Sequence, residues 1–148
     1  MQYSIFELTV AEENYLEPIN KLLVQLTSTP LVLTIDELRA LVENPSSSLF
    51  LLQCEGKVVG MLTLGSYLAP TGRKFWIEDV VVDSSMRGRS FGRKLVEHAI
   101  ARAGEKGGGT LYLTSRPARV AANALYRSVG FVPKETNFYK MSVPAIED

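Results

Sequence analysis

The chain is poor in the groups that most compact catalytic sites use. It has one cysteine, Cys54, and one histidine, His98. A single cysteine excludes a disulfide framework and suits a reducing compartment. No grouping of His, Cys, Asp and Glu has metal-ligand spacing, so no metal is expected. Lys plus Arg and Asp plus Glu both number 16, giving a formal net charge of zero. That excludes a binder that works by neutralising many phosphates, and no nucleic-acid partner is expected. No stretch approaches the roughly 20 apolar residues of a membrane span, so no membrane partner is expected. The start, Met1-Gln2-Tyr3-Ser4, lacks the basic residues and apolar run of a secretory signal. The expected location is the cytoplasm. The Gly-Lys-Ser/Thr of a P-loop is absent, and the glycines are wrongly spaced for a dinucleotide fingerprint.

What is present is ordinary globular composition, 46% hydrophobic and 22% charged over 148 residues. One domain covering 1–148 is expected. A chain this long buries roughly 70% of its unfolded surface without staples. Patterning predicts a strand over 3–8 and a helix over about 14–27, with Pro18 in its first turn. Residues 28–33 break that pattern. Thr34 and Glu37 have capping-box spacing and start a second helix, stopped by Asn44-Pro45. Strands over 49–54 and 57–67 are joined by a tight Glu55-Gly56 turn, and a long strand follows over 74–82. A long helix ends at Gly104 and Gly107-Gly108-Gly109. A short strand over 111–114 precedes a last helix from Pro117 to about Ser128, stopped by Gly130. Strands at 131–132 and 137–143 finish the chain. The order is β, α, α, β, β, β, α, β, α, β, β.

The organising stretch is 77–95. Ile77 to Val82 read as a buried central strand interrupted by Glu78 and Asp79. A turn then leads to a helix with Phe91, Leu95, Val96, Ala99, Ile100 and Ala103 on one face. A helix start leaves backbone N–H groups without intrahelical acceptors, and the helix dipole adds positive potential there. Gly88 and Gly92 let a ligand come close, while Arg87, Arg89, Arg93 and Lys94 add charge. That geometry suits a phosphate or diphosphate. The plainer alternative is a strand–helix connection with a solvated basic edge.

Arg87-Gly88-Arg89-Ser90-Phe91-Gly92 resembles the acetyl-CoA diphosphate loop, Arg/Gln-x-x-Gly-x-Gly/Ala, of the GCN5-related N-acetyltransferases. Asn123-Ala124-Leu125-Tyr126-Arg127-Ser128-Val129-Gly130-Phe131 resembles that family's Asn-x-x-Leu/Phe-Tyr-x-x-x-Gly-Phe segment. The likeness is good over roughly 48–141 and is carried further upstream by element order. It implies an α/β (α+β) fold, with a mixed, mostly antiparallel sheet of about seven strands flanked by about four helices. The middle glycine of the loop is Ser90 here, where positive φ is less comfortable. The resemblance implies acetyl-CoA as co-substrate, held by Arg87, Gly88, Arg89, Ser90, Phe91, Gly92 and Arg93. It also implies main-chain pairing of pantetheine with Val80, Val81 and Val82, on a strand that splays from its neighbour. Asn123 would bond at or near the pantetheine arm, and Tyr126 would protonate the departing thiolate.

Acetyl transfer to an amine needs a neutral nucleophile, a donor for the developing oxyanion and an acid for the thiolate. Glu78 is the candidate base, because a carboxylate in an apolar strand is costly unless it lies in a cleft or is paired. Asp79 points to the opposite face if the strand is regular, and a bulge would re-aim either side chain. The alternative is pairing of one of them with Arg73 or Arg116. Tyr126 is the candidate acid and shares a helix face with Asn123; the alternatives are a packed aromatic and a surface asparagine. Cys54 is read as structural, and so is His98, placed on the polar side of its helix. The resemblance puts Glu135, Asn137 and Tyr139, and also Tyr15, Leu31 and Tyr67, near the acceptor.

The expected activity is N-acetylation of a primary amine, on a small molecule or a peptide, by direct attack in a ternary complex. A non-catalytic acyl-CoA-binding or regulatory domain is the alternative. A nucleotide-dependent transferase is a further one. Many relatives of such proteins are dimers, so a homodimer is among the expected partners.

Overall fold

The computed structural model describes residues 2–29 and 31–146. Pro30, inside the expected break at 28–33, lies outside the described residues. The chain divides into two units, one ending at Ser115 and the other starting at Arg116.

The first unit is a five-stranded sheet in the order β1-β2-β3-β4-β5. Its elements are β1 (Tyr3–Glu7), α1 (Glu13–Leu26), α2 (Ile35–Glu43), β2 (Ser47–Cys54), β3 (Lys57–Ala69), β4 (Gly72–Val82), a short 3-10 turn (Ser84–Met86), α3 (Phe91–Glu105) and β5 (Thr110–Tyr112). Strands β1 to β4 pair antiparallel, and β5 joins β4 in parallel. Glu55 and Gly56 both take positive φ, the geometry of a two-residue hairpin turn. The expected capping box opens α2: Thr34 Oγ1 accepts from the Glu37 N–H, and Glu37 accepts from the Thr34 N–H. Pro18 sits inside α1 rather than in its first turn, because the helix begins at Glu13.

Each sheet face has its own core. Leu49, Leu51, Met61 and Val81 pack with Ile19, Leu22, Leu23 and Leu38 of α1 and α2. Each such side chain, once buried, contributes roughly 1.5–3 kcal/mol of transfer free energy. The other face carries Phe50, Leu52, Leu62, Leu64, Phe75 and Ile77, all buried. There α3 comes so close that a Cβ on Gly60 would lie 3.2 Å from Leu95 Cδ1. His98 is not on a polar side: it is half-buried, edge-on to Phe50 at 4.8 Å. Gly109 sets the start of β5. Its φ of +152° and the Arg73 carbonyl, on which a Cβ would fall, leave room for glycine alone.

The second unit contains α4 (Val120–Ser128). Pro117 lies in a turn ahead of the helix rather than in its first turn, and the Arg119 N–H bonds the Arg116 carbonyl. Gly130, at φ +113°, follows the helix end as expected. The strands expected at 131–132 and 137–143 are not formed. The sheet therefore has five strands among the described residues, not seven. Alternating apolar residues allow a strand, but a strand also needs a ladder partner. Phe138, Tyr139, Met141 and Val143 are all exposed. No helix among the described residues is long and apolar enough to cross a membrane.

Candidate active site

Strand β4 is irregular where its carboxylates lie. Met61 pairs with Val81 and Thr63 with Glu78, so Leu62 stands opposite two residues, Asp79 and Val80. Asp79 takes φ +53°, the left-handed conformation that Asp tolerates better than most residues. This is a β-bulge, and it re-aims side chains. Met61 and Thr63 are two apart on β3, so their partners Val81 and Glu78 share the face covered further along by α1 and α2. Glu78 and Asp79 are both exposed. Partial burial of the Glu78 carboxyl, and then the neighbouring Asp79 charge, raise its pKa above the usual carboxylate value.

The β4–β5 ladder consists of Lys74–Thr110, Phe75–Leu111 and Trp76–Tyr112. Beyond Trp76, the outer edge of β4 has no strand partner among the described residues. In an antiparallel ladder alternate residues turn their N–H and C=O away from the partner strand. The Asp83–Val59 bond fixes that alternation here: Val81 turns its groups toward β3, and Val82 turns its own outward. Val81 is buried on the α1–α2 face, and Val80 and Val82 are half-buried.

The turn after β4 is held from three directions. The Asp83 N–H bonds the Val59 carbonyl at 2.8 Å. Asp83 Oδ1 accepts from the Ser85 N–H at 2.9 Å and from the Ser85 hydroxyl at 2.7 Å. Gln25 of α1 spans the turn, accepting from the Ser84 N–H at 2.9 Å and donating to Asp83 Oδ2 at 3.4 Å. The Ser85 backbone bond first, then the Ser85 hydroxyl, hold the Asp83 pKa below its ordinary value. Past Met86 the chain bends through Gly88 at φ +80°, with open space where a side chain would be. Ser90 is the N-cap of α3 at φ +63°, ψ +22°, and its side chain makes no cap bond. Phe91 and Gly92 open the helix, where N–H groups have no intrahelical acceptor. Arg87 and Arg89 are exposed beside them, and Arg93 lies 3.7 Å from Glu97. The arrangement offers donors and positive charge to an anion at the head of α3.

In the second unit, Tyr126 is half-buried and edge-on to Phe131 at 6.0 Å. Burial raises its phenol pKa, opposed by the Arg119 charge, so the group keeps its proton at neutral pH. Asn123 has a local reason for its place in a helix. Its Nδ2 donates to the Arg119 carbonyl at 2.8 Å and to the Arg116 carbonyl at 3.0 Å, tying down the start of α4. Cys54 is buried and unbonded. Tyr15 packs on Phe6, Tyr67 and Leu31 are exposed in the first unit, and Glu135, Asn137 and Tyr139 are exposed in the second.

Sequence reasoning missed Gln25, Trp76 and Tyr112. Gln25 gave no signal, lying 58 residues from Asp83. Trp76 was within reach, two places before Glu78 on an alternating strand.

The sequence profile described as "Acetyltransferase (GNAT) family" matches residues 12–131. The chain belongs to the GNAT acetyltransferase family. Its fold agrees with solved members. One from Agrobacterium tumefaciens strain C58, assigned to the acetyltransferases, is 27% identical, with TM-score 0.83, over 94% of this chain and 99% of that one. Glucosamine-6-phosphate N-acetyltransferase of Arabidopsis thaliana is 23% identical, with TM-score 0.80, over 95% and 99%. AAC(6')-Iy, solved with the bisubstrate analogue CoA-S-monomethyl-acetylneamine, is 16% identical, with TM-score 0.78, over 97% and 100%. Comparison with curated proteins gives no match.

For this GNAT chain the left-handed serine is the most testable local feature. A non-glycine residue in that conformation costs roughly 1–2 kcal/mol. Ser90→Gly relieves it, and thermal unfolding should rise by about 2–8 °C. An unchanged or lowered midpoint would show that Ser90 is not strained.

Proposed function

We propose that the protein is an acetyl-CoA-dependent N-acetyltransferase acting on a primary amine by direct attack. One observation carries the reading: a bulged strand whose outer edge has no strand partner beyond Trp76 among the described residues leads, through one short turn, to the N-terminus of α3, whose first N–H groups lack intrahelical acceptors. The residues fit the co-substrate. Gly88 leaves the main chain open, Phe91 and Gly92 present N–H groups, and Arg87 and Arg89 supply charge for the diphosphate. The outward main-chain groups of the Val80–Val82 run suit the amides of pantetheine. When bound, acetyl-CoA supplies the activated acetyl thioester.

The remaining work belongs to the chain. An amine arrives as ammonium at neutral pH. Glu78 and Asp79 attract it, and Glu78, with its raised pKa, accepts a proton directly or through water. Tyr126 holds a proton on its phenol oxygen for the departing thiolate. A main-chain N–H beside the bulge, at Val80, steadies the charge developing on the carbonyl oxygen.

Acetyl-CoA at about a hundredfold excess over Kd should stabilise the native state by about 2.7 kcal/mol, raising Tm by several degrees. An unmoved Tm sinks the reading. The pH profile follows from the bulge. Asp79 raises the Glu78 pKa, so Asp79→Asn, which still tolerates positive φ, lowers it. The base form then persists further into acid, and the acid limb of kcat/KM should shift to lower pH. A limb that stays put would exclude Glu78 as the base. Tyr126→Phe should cut kcat by about a hundredfold while leaving acetyl-CoA affinity nearly intact. Matching losses in both would return Tyr126 to a packing role against Phe131.

A further inference from the structure

The face of the sheet that carries Glu78 also carries an aromatic pair. Trp76 and Glu78 are two residues apart on β4, on the regular side of the bulge, so their side chains point the same way. Tyr112 is the β5 partner of Trp76, and their rings stack with centroids 4.9 Å apart and 27° between planes. Helices α1 and α2 do not close this end of the face: Tyr112 is 37% exposed, Trp76 half-buried and Glu78 exposed. Opposite Trp76 on β3 stands Gly65. A Cβ there would meet nothing nearer than the Ser46 carbonyl oxygen at 3.9 Å. The floor beside the indole is therefore bare, though the backbone would accept a side chain. Tyr67, 52% exposed on the same face, stands beyond Gly65 and pairs with Lys74. Along the face run a cation, an aromatic wall and a carboxylate, in the order Lys74, Trp76, Glu78.

We propose that the Trp76–Tyr112 pair, with the bare floor at Gly65, is the wall of the acceptor site, and that the acceptor is a primary amine bearing a ring with a flat apolar face. The inference rests on the N-acetyltransferase reading above and adds the class of substrate. The ring lies over Gly65 against the face of the indole that Tyr112 does not cover, burying apolar surface with favourable stacking. Its amine turns toward Glu78, because Lys74 at the opposite end repels an ammonium and the two carboxylates attract it. Aromatic rings and the C–H face of a pyranose share this chemistry. A linear amine meets the same carboxylates but leaves the wall wet.

The test uses acetyl-CoA-saturated thiol release with matched acceptors: 2-phenylethylamine against n-butylamine, and glucosamine against ethanolamine. At least one ring-bearing amine should exceed its linear match in kcat/KM by about tenfold. Which pair shows the excess tells an aromatic from a sugar acceptor. Trp76→Ala should erase the excess by raising acceptor KM, and Trp76→Phe should keep most of it. Gly65→Val, which fills the floor of a strand without backbone conflict, should also erase it. Acetyl-CoA KM should stay put in all three. Trp76 is the chain's one tryptophan, so its emission should change with the ring-bearing amine and not with the linear one. Equal rates for ring and linear amines, no turnover of either ring-bearing amine, or variants that weaken all amines in proportion would overturn the proposal and leave the rings a cross-strand packing pair. Failure of acetyl-CoA to raise Tm would instead remove the reading beneath it.

Discussion

Between the pairs Thr63–Glu78 and Met61–Val81, β3 uses one residue where β4 uses two. The surplus is absorbed by Asp79 in the left-handed region, at a cost of roughly 1–2 kcal/mol. Without it, strict alternation would put Glu78 and Val81 on opposite faces. With it, Val81 closes the core under α1 and α2 while Glu78 stands on the same face in a partly desolvated position. Just upstream, pairing with β5 stops at Trp76. A single inserted residue thus turns a carboxylate with a raised pKa onto the α1–α2 face, beside a strand edge that has no further strand partner among the described residues.

The three acidic groups near this stretch are put to different uses by their surroundings. Asp83 is kept ionised by Ser85 and spends its charge on the turn. Asp79 holds the bulge, and its charge keeps protons on Glu78 to higher pH. Gln25 joins α1 to this turn, so the helix that covers the core also fixes where the chain bends toward α3. Ser90 then closes the turn in a conformation that glycine would adopt without strain.

Much of this is legible in the sequence. The run of β-branched residues, the Gly- and Arg-rich turn and the amphipathic 91–103 pattern are local, and local patterns survive folding. The Thr34–Glu37 box and the Glu55-Gly56 turn were readable for the same reason. Ser90 stands where the family loop has glycine, and it does take positive φ, +63°. The bulge could be named only as an option, because register depends on β3, not on β4 alone. The strands at 131–132 and 137–143 failed because alternation cannot tell whether a ladder partner is present. Gln25 and the Trp76–Tyr112 stack come from contacts far apart in sequence, which no local pattern carries.

The proposed grip on a diphosphate at the head of α3 and the proposed pairing along the open edge of β4 can be separated chemically, since pantetheine lacks the diphosphate that coenzyme A carries. The decisive measurement is a backbone amide map by 15N–1H correlation spectroscopy, titrated with each compound in turn. Coenzyme A should shift Gly88, Phe91 and Gly92 together with Val80 to Val82, whereas pantetheine should shift only the valines. Shifts from coenzyme A that spare Gly88, Phe91 and Gly92 would contradict the account at its root.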